Sequence, residues 1–437
     1  MFNSIRFPLC KEDEMKAFVK LMTLIVLFSL VVSCGGTPAT TEPAATEPPE
    51  PGATLPPVTE VPLTANEQWA KDNGLGPYQP ATDDWAAIEA AAKLEGSVCV
   101  YANSSKVAKL IDKWNALYPD ITFDCGDTDY IDTKMRAEQE AGNVVGDVWF
   151  NSDGHILYGE FVPNEWIWSF VPRDVVEPEV TAEQPFAIAR HSIDVWGYNS
   201  EIHPEGCPIT SWWNLTEPAL AGKVYTEDPM TDVSTMAKWA TVAEHGDEMA
   251  AAYLALYGVE WTTDPAAAPD AFGQTVPNAG WLWVKKFAQN HPVVVDEIDI
   301  AYASVGMDPN VEPGIGWTGW NSVEDTAAGD IVMAPCLDLA PSLGIMKTSY
   351  LGIANMAPHP NAAKLFIKFA LSPDGFHPWD AIGSYSGQLG METDAEAVMP
   401  FSEVLTKAWL MNPIYDWEWA AKVRDFWAIS LLTPPSE

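Results

Sequence analysis

Residues 97–150 read SVCVYANSSKVAKLIDKWNALYPDITFDCGDTDYIDTKMRAEQEAGNVVGDVWF, and the punctuation of this stretch decides the fold class. Ser97-Val-Cys-Val-Tyr101 is a short apolar run of the kind that forms a buried strand. Asn103, Ser104 and Ser105 offer side-chain oxygens for a helix start. Val107, Leu110, Ile111, Trp114 and Leu117 then recur at helical spacing until Tyr118-Pro119-Asp120 stops them. Ile121 to Cys125 is a second strand. Asp132 to Ala141 is a second helix, capped by Asp132 and stopped at Gly142, and Asp147 to Phe150 is a third strand. Strands alternating with helices predict a parallel, right-handed arrangement in an open α/β sheet. Ligands of such sheets sit beyond the carboxyl ends of the strands, beside helix N-termini.

The whole chain has 437 residues, 47% of them apolar, with 61 acidic and 23 basic side chains and a net charge of −38. That balance argues against nucleic acid and against electrostatic docking on anionic lipid, and it suits cationic ligands. Twenty tryptophans supply flat apolar faces, which serve cores and ligand platforms alike. Leaving aside Cys10 and Cys34, four cysteines remain and allow three pairings. Cys99 and Cys125 lie on strands expected to be neighbours, which favours that pair.

Upstream of the body, Met15, Lys16 and Lys20 precede an almost wholly apolar run from Leu21 to Val32, which Val31-Val32-Ser33-Cys34 closes. The run is short for a permanent span and reads as a secretory signal over residues 1–34, with Met15 the better-flanked start. Its closing tetrapeptide resembles a bacterial lipobox, which implies a lipid on Cys34 and a body held at the outer face of the cytoplasmic membrane. Residues 35–64 are Thr, Pro, Ala and Glu with hardly a large apolar residue. Such a segment cannot bury enough surface to offset its ordering entropy, so it reads as a disordered, semi-stiff stalk. About 28 residues of it reach up to ~90 Å when extended.

Several stretches resemble bacterial extracellular solute-binding proteins of ABC importers, in the branch that includes ferric-ion, thiamine, polyamine and phosphonate binders. Glu95 to Tyr101, Trp114 to Pro119, Arg136 to Gly142 and Asp147-Val with Asn151-Ser-Asp153 look like the N-terminal lobe. Trp196-Gly-Tyr-Asn199 looks like the strand that crosses to the second lobe. Trp213 to Pro218, Ala221 to Val224 and Asp228-Pro229 are similar to the interlobe signature. Ala357 to Phe366 and Leu371 to Gly375 match the return helix. The resemblance implies a two-lobe, type II periplasmic-binding-protein-like α/β fold with a hinge. Lobe 1 would span 82–197 plus about 340–390, lobe 2 would span 198–340, and C-terminal helices would follow over 391–437. It also implies a monomer that captures a small solute between its lobes and delivers it to a permease driven by a cytoplasmic ATPase. No covalent chemistry and no cofactor are implied.

The ligand-binding candidates follow from both readings. Tyr101, Ser104 and Ser105 stand at the end of the first strand, and Asn151, Ser152 and Asp153 at the end of the third. Asp228, Ser234 and Thr235 occupy the matching strand-to-helix turn of the second lobe, while Trp196 and Tyr198 lie at the crossover. In Gly314-Ile-Gly-Trp-Thr-Gly-Trp-Asn321, the glycines allow close approach and Trp317, Trp320 and Asn321 offer two faces and a polar group. Tyr385 in Gly383-Ser-Tyr-Ser-Gly387 is a further aromatic candidate. These predict an aromatic-walled cleft for a polyamine or other organic cation, with sugar, phosphonate or ferric iron as alternatives. Ferric binders of the family use adjacent tyrosines late in the second lobe, and no Tyr-Tyr pair exists here. Asp124, Asp127, Asp129 and Asp132 lack the EF-hand glycine and terminal glutamate and read as caps and surface charge. The competing class is a lipid-anchored extracytoplasmic enzyme such as a carbohydrate hydrolase, for which the acidic composition alone speaks.

Overall fold

The computed structural model describes residues 62–128, 130–173, 185–261, 269–308, 310–322, 331–388, 391 and 399–434. The expected signal segment with Cys34, most of the expected stalk, and Asp129 lie outside them. The principal elements in chain order begin with α1 (Trp85–Glu95), β1 (Ser97–Ala102), α2 (Ile111–Leu117), β2 (Thr122–Asp127), α3 (Ile131–Ala141) and β3 (Val148–Asn151). They continue with β4 (Ala187–Asn199), β5 (Val224–Glu227), α4 (Val233–Glu244), α5 (Ala279–Gln289) and β6 (Val293–Val295). The last are α6 (Ile298–Gly306), β7 (Ile315–Gly319), β8 (Gly344–Ala354), α7 (Pro360–Ala370) and α8 (Pro413–Leu431).

The expected parallel strands are present. Val100 of β1 lies opposite both Cys125 of β2 and Val148 of β3. Helices cover the sheet, so β1 reads as a continuous apolar run rather than an alternating one. Trp114 of α2 is fully buried against Phe123, Phe366 and Phe369, and its indole N–H donates to the Ile121 carbonyl at 2.9 Å. α7, the expected return helix, is held by Glu95, whose carboxylate accepts from the backbone N–H groups of Asn361 and Ala362.

Cys99 and Cys125 are joined, with Cα atoms 5.1 Å apart, as the strand order predicts. Register places Cys99 beside Asp124, which would turn Cys125 to the opposite face. The left-handed φ of +70° at Cys125 takes it out of that alternation. A second disulfide links Cys207 and Cys336.

Two crossover strands join the halves. β4 and β8 run antiparallel from Gly344 opposite Val195 to Leu351 opposite Ala187. β8 also pairs with β3, and the far half of β4 pairs with β7, giving the main path β2-β1-β3-β8-β4-β7-β5-β6. Gly344 is needed at this crossing because a Cβ there would lie 2.2 Å from the Asp194 carbonyl oxygen. One core gathers β1–β3, α1–α3 and α7; a second gathers β5, β7, α4, α5 and α8. The architecture is the two-lobe periplasmic-binding-protein fold expected from the sequence.

The second core consumes the tryptophans. Trp196, Trp212, Trp213, Trp239, Trp283, Trp317 and Trp427 are fully buried there; edge-to-face and tilted contacts link Trp196, Trp212, Trp239, Trp283 and Trp317, and Trp427 stacks on Trp239. Residues 413–431, set apart in the sequence as generic C-terminal helix, contribute Val423, Phe426 and Trp427 to the same core.

Candidate functional site

The carboxyl ends of β1, β2 and β3 open onto a cleft of about 420 Å³, faced from the second core by the first turn of α4. Lobe 1 lines it with Asn103, Thr128, Tyr130, Ile131, Asp132, Thr133, Arg136, Asn151, Asp153 and Ile156. The second half supplies Thr231, Asp232, Val233 and Ser234. Such a crevice is where the open-sheet rule puts a ligand.

The turn between β2 and α3 builds most of one wall. Tyr130 occupies the N-cap position of α3 with a left-handed φ of +53°, and its side chain stands 85% exposed at the cleft. A non-glycine residue in that conformation is uncommon and tends to cluster at ligand clamps. Asp132 in the first helical turn does not cap the helix as its position predicts. Its carboxyl instead accepts the Trp149 indole N–H at 2.8 Å and faces the Asn151 amide at 3.4 Å. The same Asn151 amide donates to Asp153 Oδ2 at 2.9 Å, so one side chain spans two acids.

Burial, and next the Asp153 carboxylate, push the Asp132 carboxyl well above the usual range. Across the cleft, Asp232 caps α4 by accepting the Thr235 backbone N–H. Arg136 is the single cation among the lining residues, and Glu160 takes it in a two-pronged bond at 2.5 and 2.6 Å. The cleft therefore presents three carboxyl groups and no uncompensated positive charge. It can hold a cation with oxygen acceptors from both halves.

Of the residues singled out in the sequence, Asn151, Asp153 and Ser234 line the cleft. Ser152 is adjacent, with its hydroxyl accepting from the Asn103 amide at 3.2 Å. The others are engaged elsewhere. Tyr101 is buried with its hydroxyl on Glu138 at 2.6 Å, and Ser104 accepts the Trp379 indole N–H. Ser105 is exposed at the start of a short helix, and Asp228 accepts the Met230 backbone N–H in its own turn. Thr235 is fully buried and donates to Glu227. Tyr198 packs near His203, and Asn321 sits beside Gly319.

The expected aromatic wall is not formed by the residues proposed for it. Trp196 and Trp317 are 0% exposed in the second core, and Trp320 and Tyr385 are 1% exposed in a smaller cluster. The Tyr385 hydroxyl donates to the Met399 carbonyl. The flanking glycines serve close packing: a Cβ on Gly383 would lie 2.5 Å from Trp320, and one on Gly316 would press on Val305 of α6 at 3.1 Å. Sequence reasoning missed Tyr130, Thr133, Arg136, Thr231 and Asp232, and it placed Asp132 among surface charges. The signal available for them was position, since they follow strand ends on the ligand side of the sheet.

Among the described residues no group of three or more His, Cys, Asp or Glu side chains is arranged to hold a metal ion. None of the described helices is long and apolar enough to cross a membrane.

No family model matches this chain, and no curated protein matches it in sequence. Solved structures do match in fold. Iron-bound HitA from Pseudomonas aeruginosa is 15% identical with a TM-score of 0.54, over 76% of this chain and 99% of that one. An ABC transporter substrate-binding protein from Bradyrhizobium japonicum USDA 110 is 14% identical with a TM-score of 0.56, over 77% and 99%. The periplasmic binding protein AfuA from Actinobacillus pleuropneumoniae, with exogenous fructose-6-phosphate bound, is 16% identical with a TM-score of 0.55, over 77% and 99%.

Proposed function

We propose that the chain is the solute-binding component of an ABC-type importer and that it captures a small organic cation in the cleft between its halves. One observation carries the ligand class: Asp132, Asp153 and Asp232 converge on the cleft while Arg136 is neutralised by Glu160. An anionic solute such as a phosphonate would meet these carboxyl groups without a free cation to balance it. An organic ammonium would bring the positive charge that favours an ionised Asp132, and it would lie beside the exposed Tyr130 ring. Contacts from both halves would then favour a closed arrangement.

On the same reading Cys34 carries lipid, the body is held outside the cytoplasmic membrane as a monomer, and a permease with a cytoplasmic ATPase receives the solute. The protein binds without turning its ligand over. A thermal-shift screen of the protein against polyamines, aryl-alkyl amines, sugars, phosphonates, thiamine and ferric chelates tests this. A ligand at 100 times its Kd stabilises the folded state by about 2.7 kcal/mol, so a true ligand raises the Tm. Stabilisation by sugars or phosphonates alone, with none by amines, overturns the cation reading.

A further inference from the structure

A second chamber of about 180 Å³ adjoins the cleft and shares Ile156, Asp232 and Val233 with it. Met230, Met236 and Trp417 give it apolar walls, and the C-terminal helix α8 closes one side. Trp417 reaches from α8 to the first half, where a Cβ on Gly159 would lie 2.0 Å from its indole ring. Two buried polar side chains also belong to this chamber. Asp416 is 0% exposed and its Oδ2 has no partner, while its Oδ1 lies 3.4 Å from the Thr241 hydroxyl. His155 is 4% exposed and its Nδ1 has no partner.

Buried polar atoms are nearly always hydrogen-bonded, and each exception calls for an explanation. Among the described residues other buried polar atoms also lack a partner, but these two border the same cavity. Burial holds the Asp416 carboxyl up at about 8 and keeps the His155 imidazole below its ordinary value, so neither brings a full charge at neutral pH. Arg424 of α8 also lines the chamber, and that cation, beside apolar walls and a floor of uncharged polar groups, makes it unsuited to a second ammonium group. An apolar cavity of about 150 Å³ accepts a benzene ring, so the size fits a ring or a branched aliphatic group.

Resting on the cation reading above, we propose that this chamber receives the apolar arm of the captured solute, which is a monoamine bearing an aromatic or branched aliphatic arm whose far end carries a hydrogen-bonding group. The ammonium end occupies the Asp132–Asp153–Asp232 cleft. The arm passes Val233 into the chamber, and its terminal group meets Asp416 or His155. A linear polyamine leaves the chamber's walls unfilled.

The test is calorimetric titration of the protein with tyramine, phenethylamine, ethanolamine and putrescine. Tyramine should bind at least tenfold more tightly than ethanolamine and putrescine, with phenethylamine between. Filling the chamber from the exposed side of α8 with Ala421→Phe should abolish tyramine's advantage and leave ethanolamine affinity unchanged; Met230→Trp does the same from the opposite wall should Ala421→Phe misfold. If ethanolamine and putrescine bind as tightly as tyramine, or if the advantage survives both filled variants, the chamber inference is overturned and the cation reading stands. Binding of none of the four overturns both.

Discussion

The Lys238 ammonium lies 2.7 Å from the Asp194 carboxylate, with both side chains 2% exposed. Asp194 is on the crossover strand β4 and also takes Lys347 of β8 at 3.1 Å. Lys238 belongs to α4, whose first turn faces the cleft, so one carboxylate fastens both crossover strands to a wall of the site. Burial alone would raise the Asp194 carboxyl; Lys238 and Lys347 more than offset it and hold it below the usual range. Removing one partner of a buried pair costs about 3–5 kcal/mol because it strands the other charge. Lys238→Met leaves Lys347 on Asp194, so it should lower stability in urea denaturation by up to that order, and Asp194→Asn with Lys238→Met should recover much of it. The contribution of Asp194 is present above its unfolded pKa and is lost as pH falls through its lowered folded one.

Cation affinity should depend on pH through Asp132. Its carboxyl is raised by burial and then by Asp153, and an ionised Asp132 attracts an ammonium more strongly than a protonated one, so affinity should climb as pH rises through its range. Asp132→Asn should weaken amine binding roughly tenfold or more, about 1.4 kcal/mol, and flatten the profile. Titrations of the parent and variant across mildly acidic to neutral pH decide this; equal slopes would remove Asp132 from the site.

Trp317 and Tyr130 should respond in opposite ways. Trp317→Ala empties a fully buried site and should cost about 3–5 kcal/mol of stability. Tyr130→Ala removes an exposed ring and should change stability by less than about 0.5 kcal/mol. Loss of a cation–ring contact worth ~0.5–2 kcal/mol should nonetheless weaken amine binding about two- to thirtyfold. Paired melting and binding measurements separate the two.

Asp416 makes the fold alkali-sensitive. Its carboxyl is raised to about 8 by burial and then by Glu244, above the unfolded value of 3.8. A raised acid favours the folded state at low pH and loses that contribution as pH climbs through its folded pKa. Asp416→Asn should therefore melt a few degrees above the parent near pH 9 and close to it near pH 4.

Cys34→Ser tests the anchor. The variant should stay uncleaved or be exported without lipid, with altered membrane fractionation and gel mobility. Unchanged partition and mobility would refute the lipobox reading.

What the sequence revealed was local. Val98 to Tyr101, the Trp114 stripe and Gly142 each set their element by spacing alone, and the Cys99–Cys125 pair followed from strand adjacency. The site depended on convergence. Asp132 looked like a cap because its spacing to the helix is a cap's spacing; the Trp149 indole and the Asn151 amide, distant in sequence, draw it inward. Trp317 looked like a platform because glycines flank it, yet Gly316 is small so that α6 can close on β7.

The two disulfides have a mechanical consequence. Cys99–Cys125 belongs to the first core and Cys207–Cys336 to the second, so among the described residues no covalent link other than the chain itself joins the halves. The bridged positions are 26 and 129 residues apart. At roughly 3.4 Å per residue, about 90 Å and 440 Å of contour are hidden from any pull on the termini. Force applied to the oxidised chain can part the halves at β4 and β8 or unravel segments outside the bridges. The bridged lengths pay out only after reduction, in two separate steps.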